Sequence, residues 1–247
     1  NFMRDDITGL RAVAVLSVIF FHLNLFNLNN GYLGVDIFFV ISGFLISKLL
    51  FKHLKKKNFS IKNFYIRRIK RIIPMVFFVI LISIPFFSFV MLPHLLKEYA
   101  ESIISVLFFV SNFFFFLNTD YFSSSAEFKP LLHFWSLSIE EQFYIIFPIV
   151  IVLINKYFKD NFKKIILFLF LFFLVITLVV NHSLIEIFYK TSINKYFSFY
   201  FPFSRIWELL MGAVAALYAT NFKKYDLKIK YFFSLIGFII IIFSLTL

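Results

Sequence analysis

The 247-residue chain contains no cysteine. Disulfide bonds, thiolate catalysis and cysteine-type zinc sites are therefore excluded, and no metal centre is expected. Charge is scarce: Asp, Glu, Lys and Arg make up 15% of the residues, and the 13 acids are about half as many as the 25 Lys and Arg. The chain shows no internal repeat and no low-complexity tail. The opening "NFMRDDITGLR" mixes both signs, and no small-residue cleavage site follows the first apolar run. The first helix is therefore expected to stay in the mature protein.

What fills the chain instead is apolar surface. Hydrophobic residues make up 61%, aromatic residues 23% with 42 Phe, and the mean hydropathy is +0.89. No soluble domain of this size needs so much, so an all-α, polytopic transmembrane helix bundle is the expected class. The net charge of +12 then reads as basic cytoplasmic loops facing anionic membrane lipid, not as nucleic-acid binding. Apolar runs of about 17–25 residues occur near 10–28, 33–51, 72–92, 101–118, 137–154, 165–181, 199–219 and 231–247, giving about 7–8 spans. The last run has no polar flank and the first residue is Asn1, so residues 1–247 are expected to form one membrane domain, truncated at its C-terminus.

Orientation follows the basic connections. "FKHLKKKNFSIKNFYIRRIKR" (Phe51–Arg71) is expected in the cytoplasm, which places the N-terminus there too. The loops Asn155–Lys164 and Asn221–Lys230 are also basic. If 101–118 crosses fully, both fall outside. If it is re-entrant or interfacial, both fall inside, and 93–136 and the loop from Asn181 to Tyr196 are external. The second arrangement is preferred, on Pro93 before the segment and the polar "NTDYFSSSAEFK" after it.

Ionisable residues inside a membrane cost upward of about 3 kcal/mol and tend to face a cavity with a role. Arg11 and His22 lie eleven residues apart, which returns to within about 20° on a helix with roughly 16 Å of rise. They share one face. In the second run, Asp36 can pair with a cation, orient His22 or cap the helix, and Ser42 can bond back to its own helix. Arg67, Arg68, Lys70 and Arg71 suit either lipid headgroups or a phosphate clamp. "PLLHFWSLSIEEQFYIIFP" gathers His133, Trp135, Ser136, Ser138, Glu140, Glu141, Gln142 and Tyr144. Acids at a helix start are a common electrostatic arrangement, and ring-plus-carboxylate clusters also bind sugars. Arg205 and Glu208, at i and i+3, can pair with each other.

In order along the chain, "TGLRAVAVLSVIFFH", "GVDIFFVISGFLI", "FYIRRIKRIIP", "LLHFWSLSIEEQFY" and "RIWELLMGA" resemble the motifs of the acyltransferase-3 family of integral membrane acyltransferases, which modify cell-surface polysaccharides, chiefly in bacteria. Arg11 and His22 keep the family's Arg-x10-His spacing. Thr8 stands where the family usually has the Asp of "DGLR". The family core is longer by about two or three spans, and residues 1–247 are not expected to include the extracellular hydrolase-like domain that some members carry. The resemblance implies a multi-pass protein of the bacterial cytoplasmic (inner) membrane. It implies acyl-CoA, usually acetyl-CoA, as a cytoplasmic co-substrate with no bound cofactor, and a glycan hydroxyl (O-antigen, exopolysaccharide or peptidoglycan type, polymeric or lipid-linked) as acceptor. It also implies that His22 and Arg11 are catalytic and that the Arg67–Arg71 region contacts the donor.

The residues fit those roles. A sugar hydroxyl is a weak nucleophile, and a histidine base contributes about 10²–10⁴ in rate. His22 is the one histidine inside a clear span; His53, His94, His133 and His182 sit in loops or at edges. Arg11 would bind a phosphate or polarise the thioester carbonyl, and Asp36 would orient His22. Arg67, Arg68, Arg71 and Ser42 would hold acyl-CoA. His133, Trp135, Ser138, Glu140, Glu141, Tyr144, Arg205 and Glu208 would bind the acceptor. Direct transfer and an acyl-enzyme relay both remain open. A proton-coupled transporter and a non-catalytic subunit of a polysaccharide assembly machine are the competing classes. The absence of an inverted repeat disfavours the transporter.

Overall fold

The computed structural model describes residues 5–26, 28–56, 59–118, 129–181, 193–222 and 226–246. Among these the regular structure is helical throughout: α1 (Asp5–His22), α2 (Gly34–Lys55), α3 (Ile61–Val90), α4 (Pro93–Leu107), α5 (Ser111–Leu117), α6 (Phe134–Tyr157), α7 (Phe162–Asn181), α8 (Ile193–Tyr200), α9 (Pro202–Phe222) and α10 (Leu227–Thr246). Helices satisfy their own backbone, which is what a chain in hydrocarbon requires. Among the described residues five segments are long and apolar enough to cross a membrane: Gly31–Lys55, Ile61–Val90, Phe134–Tyr157, Lys159–Val180 and Leu227–Thr246. The expected 7–8 is reached only if α1 and α9 cross as well. Both carry charge: Asp5, Asp6 and Arg11 on α1, Arg205 and Glu208 on α9.

The contacts divide the chain into two compact units. One contains α1, α2 as far as Lys52, the start of α7 (Lys163–Phe170), α9 from Glu208, and α10. Its helices meet through small residues. A Cβ on Gly34 would strike the Ala14 carbonyl, and one on Gly31 the Ser17 carbonyl. A Cβ on Gly43 would strike the Leu209 carbonyl, and one on Gly212 the Val40 carbonyl. In lipid no hydrophobic force draws helices together, so such backbone approaches provide the packing.

α1 ends six residues before the expected boundary. Asn24 has φ 51°, its N–H donates to the Phe21 carbonyl (3.2 Å), and the Leu25 N–H reaches back to Phe20 (2.9 Å). This is a Schellman ending, with Asn in the left-handed position that it tolerates better than most residues. His22 therefore closes the helix instead of lying mid-span.

The other unit contains His53 onward to Phe162, then Leu171 to Trp207. α3 begins eleven residues before the expected run and takes the basic stretch into the helix. Ser60 caps it, its Oγ accepting from the Asn63 N–H (3.3 Å), as N-cap serines do. Pro74 and Pro85 lie inside this helix, as membrane helices tolerate.

The expected run at 101–118 is broken in two. Phe109 has φ 54°. The Phe109 N–H bonds to Val106 (3.0 Å) and the Val110 N–H to Ser105 (2.9 Å), a second Schellman ending. The chain then doubles back, so that Phe115 of α5 lines one small cavity with Leu95, Glu98, Tyr99 and Ser102 of α4. Lys129 closes the open side of this hairpin, with Nζ 3.2 Å from a Glu98 carboxylate oxygen and 2.7 Å from the Asn118 carbonyl.

Candidate functional site

In the first unit, the His22 ring is held by its own helix. Nδ1 lies 2.8 Å from the Val18 carbonyl. A carbonyl oxygen only accepts, so Nδ1 carries the hydrogen and Nε2 is the basic nitrogen. The ring is exposed and meets Phe21 edge-on at 5.2 Å. Arg11 lies three turns earlier on α1, about 20° round the helix by its spacing. Its side chain is half-buried, and its Nε is buried without a hydrogen-bond partner among the described residues. Asp36 stands in the first turn of α2, where its charge suits the helix N-terminus. Ser42 is buried beside Gly43. Glu208 is buried on α9. Arg205, three residues earlier, belongs to the second unit.

In the second unit the sequence-derived residues form two clusters. The first joins α3 to α6. The Arg68 guanidinium lies over the Tyr144 ring (5.1 Å) and the Phe64 ring (5.7 Å). The Tyr144 hydroxyl donates to Glu140 Oε2 (2.9 Å). Arg71, Glu140 and Glu141 are within electrostatic reach of Arg68. Glu141 is only 8% exposed, and its Oε1 has no hydrogen-bond partner among the described residues. Tyr65, which the sequence reading passed over, ties the same helices through its hydroxyl and the Ile145 carbonyl (2.6 Å). Sequence reasoning had assigned Arg68 to the donor and Glu140, Glu141 and Tyr144 to the acceptor; in the structure they adjoin. Arg67 and Arg71 are exposed.

The second cluster is an aromatic box. Arg205 lies over Trp135 (5.9 Å) and Phe199 (5.3 Å). Trp135 packs on Phe199 (4.5 Å) and Tyr200 (5.7 Å), and it is 5% exposed. An indole covered in this way supports the helix start and offers no open face to a sugar ring. Ser138 is likewise fully buried, with Oγ 2.7 Å from Ser111 Oγ. His133 is exposed immediately before α6, and Ser136 Oγ donates back to its carbonyl (3.1 Å). Expected external residues at 119–128 and 182–192, His182 included, lie outside the described residues. Among the described residues no three His, Asp or Glu side chains gather as metal ligands.

Arg68→Gln is expected to destabilise the α3–α6 contact by about 0.5–2 kcal/mol, the usual worth of a cation–π contact, because it removes a half-buried guanidinium stacked on Tyr144. Arg67→Gln, at an exposed position, is expected to leave stability unchanged. Thermal unfolding of both variants in detergent checks this: equal shifts would contradict the distinction.

Apolar helices in this number, with arginine, histidine and glutamate carried on them, define a multi-pass membrane protein. A family model described as an acyltransferase domain matches residues 4–247, and the chain belongs to the acyltransferase-3 family. It is 38% identical over 212 residues to an O-acetyltransferase, OatA, of Staphylococcus aureus (strain NCTC 8325 / PS 47), covering 84% of this chain and 33% of that relative. A peptidoglycan O-acetyltransferase, OatA, of Listeria monocytogenes is 38% identical over 157 residues, covering 63% of this chain and 25% of the relative. The chain thus spans about a third or less of the length of these relatives. No solved structure matches it.

Proposed function

We propose that this chain is the membrane domain of an O-acetyltransferase in the bacterial cytoplasmic membrane. It would carry an acetyl group from cytoplasmic acetyl-CoA to a hydroxyl of a cell-surface glycan. Among the acceptor classes considered, the names of the relatives favour peptidoglycan. The observation that carries the reading is His22: on the helix it shares with Arg11, its Nδ1–H is committed to Val18 and Nε2 is the basic nitrogen. In the reaction Nε2 takes the proton of the acceptor hydroxyl as that oxygen attacks the thioester carbonyl; the C–S bond then breaks, the acetyl ester forms, and Nε2 returns the proton to the departing CoA thiolate. Arg11, roughly 16 Å earlier along the same helix, binds a donor phosphate, and Asp36 orients the imidazole. Exposed Arg67 and Arg71 hold the donor phosphates, Ser42 supports the donor side, and Arg68 links that surface to Glu140, Glu141 and Tyr144. Those acids hydrogen-bond acceptor hydroxyls. In the second unit His133 and Arg205 serve the acceptor, with Trp135 and Ser138 as scaffold, and in the first unit Glu208 serves it. Purified full-length protein in liposomes, given acetyl-CoA and peptidoglycan fragments, is expected to release CoA and form glycan acetyl esters in equal amounts. Uptake of either substrate without ester formation would favour a transporter and refute the reading.

The same proposal takes seven spans: α1, α2, α3, α6, α7, α9 and α10, with the N-terminus in the cytoplasm. The α4–α5 hairpin supports this, because a segment that doubles back returns to the side from which it entered. The basic loops Asn155–Lys164 and Asn221–Lys230 then both face the cytoplasm, as the positive-inside rule asks. The lack of cysteine makes a single-cysteine test clean. Ser124→Cys, at a position outside the described residues, is expected to react with a membrane-impermeant maleimide in intact cells. Reaction only after permeabilisation would mean that 93–118 crosses.

A further inference from the structure

The hairpin tip is held by a polar clasp to which no role has so far been attached. Gln142 Nε2 donates to the Phe109 carbonyl (2.8 Å) and to Asn112 Oδ1 (2.8 Å). Asn112 Nδ2 in turn donates to the Tyr200 carbonyl (3.2 Å), and Asn112 is fully buried. One turn before Gln142, Ser138 bonds Ser111 through the hydroxyl pair and through the Ser111 N–H (3.3 Å). Two amides and two hydroxyls thus tie α5, α6 and α8 at the break in the hairpin.

We propose that Gln142 and Asn112 are positioning residues, needed for turnover and dispensable for folding; the proposal rests on the acyl-transfer reading above. Three observations carry it. First, the clasp grips a strained residue. Phe109, with φ 54°, occupies the left-handed position that helix ends usually give to glycine, which a side chain that bears a Cβ disfavours. Such strain persists where surrounding contacts over-determine it, often beside a functional site. Second, the helical rows are complementary. Ser138 and Gln142, four residues apart, form one row of α6 and are spent on the hairpin tip. Glu140 and Tyr144 form another row, with Glu141 next to Gln142 and buried with one oxygen unpartnered among the described residues. A rigid helix clamped along one row has its other rows aimed. The clasp therefore sets the rotation of α6, and with it the direction of Glu140, Glu141 and Tyr144. Third, the amides are an expensive way to obtain packing alone. Of the three amide bonds only Gln142–Asn112 joins two side chains, and replacing both partners of such a pair by apolar groups of similar shape is close to neutral; the Phe109 and Tyr200 carbonyls each lose one donor.

The test is the double variant Gln142→Leu/Asn112→Leu in the full-length protein, with Phe108→Cys at the exposed tip as reporter. The double variant is expected to insert, to stay monodisperse in detergent and to unfold cooperatively at a modestly lower temperature, since the Phe109 and Tyr200 carbonyls each lose one donor. Its kcat is expected to fall at least tenfold with the acetyl-CoA KM unchanged within about twofold, and maleimide labelling at position 108 is expected to accelerate at least threefold. Full turnover in a well-folded double variant would overturn the proposal. So would a loss of turnover that only tracks the loss of folded protein. If wild-type protein transfers no acetyl group to any glycan, the functional reading fails by itself, and the labelling rates still decide whether the clasp holds the tip.

Discussion

His22→Asn is expected to abolish acetyl transfer, lowering turnover by about 10²–10⁴, the contribution of a positioned general base, while the protein still inserts and folds. Asparagine suits this test better than alanine. Its side-chain N–H2 takes the place of Nδ1 and keeps the bond to the Val18 carbonyl, 2.8 Å away in the wild type, so the end of α1 stays as it is. What disappears is Nε2. His22→Ala removes both nitrogens and should be as inactive, with some loss of order at the helix end. Equal inactivity in the two variants, with folded protein in both, assigns the loss to the missing base. An active His22→Asn would transfer the role to another group and leave His22 as a helix-ending residue.

The second large effect is expected on folding. α2 and α9 cross at Gly43 and Gly212, where an added Cβ would meet backbone: the Leu209 carbonyl in one direction and the Val40 carbonyl in the other. A flexible side chain can turn aside from a new methyl group; a backbone carbonyl moves only with its helix. Overpacking ordinarily costs about 1–3 kcal/mol where side chains can yield. Here Gly43→Leu or Gly212→Leu forces the helices apart, and the cost should rival the roughly 5–15 kcal/mol that holds a protein folded. Loss of the monodisperse species in fluorescence-detected size-exclusion chromatography is the expected result. Gly237→Ala is the control, because nothing lies within 4 Å of its would-be Cβ, and alanine favours a helix interior over glycine by up to about 1 kcal/mol. If Gly43→Leu behaves like Gly237→Ala, the close crossing of α2 and α9 is wrong.

Much of this architecture was legible in the residues. Apolar run length located α2, α3, α6, α7 and α10, because backbone satisfaction in lipid leaves helices little freedom to be anything else. The polar flanks and Pro93 pointed to a segment at 101–118 that fails to cross, and the structure breaks it at Phe109. Boundaries set by local hydrogen bonds were less visible. α1 stops at His22 because Asn24 turns left-handed, and hydropathy does not register that among the surrounding Leu and Phe. α3 starts at Ile61 because Ser60 caps it, although the basic residues there look like loop.

The site divides in the same way. Residue type singles out His22, Arg11 and the acidic pair as candidates, since an ionisable group in an apolar helix is expensive. Partnership across long sequence separation was hidden. Nothing in "FYIRRIKR" says that Arg68 turns onto Tyr144 while Arg67 faces away. Nor does "HFWSLS" say that Trp135 is covered by Phe199 and Tyr200, which makes it scaffold in place of a sugar platform. Gln142 was the one visible clue to the clasp: an amide in a helix of isoleucines and phenylalanines wants acceptors, and the structure supplies the Phe109 carbonyl and Asn112.

The central claim is acetyl transfer to a glycan hydroxyl through His22. Its most direct test is mass spectrometry of cell-wall glycan from bacteria lacking the full-length protein and complemented with wild type or with His22→Asn at equal membrane abundance. Muropeptides heavier by one acetyl group, removable by mild base as an ester, are expected with wild type and none with His22→Asn. The same acetyl ester in both strains, or in neither, would contradict it.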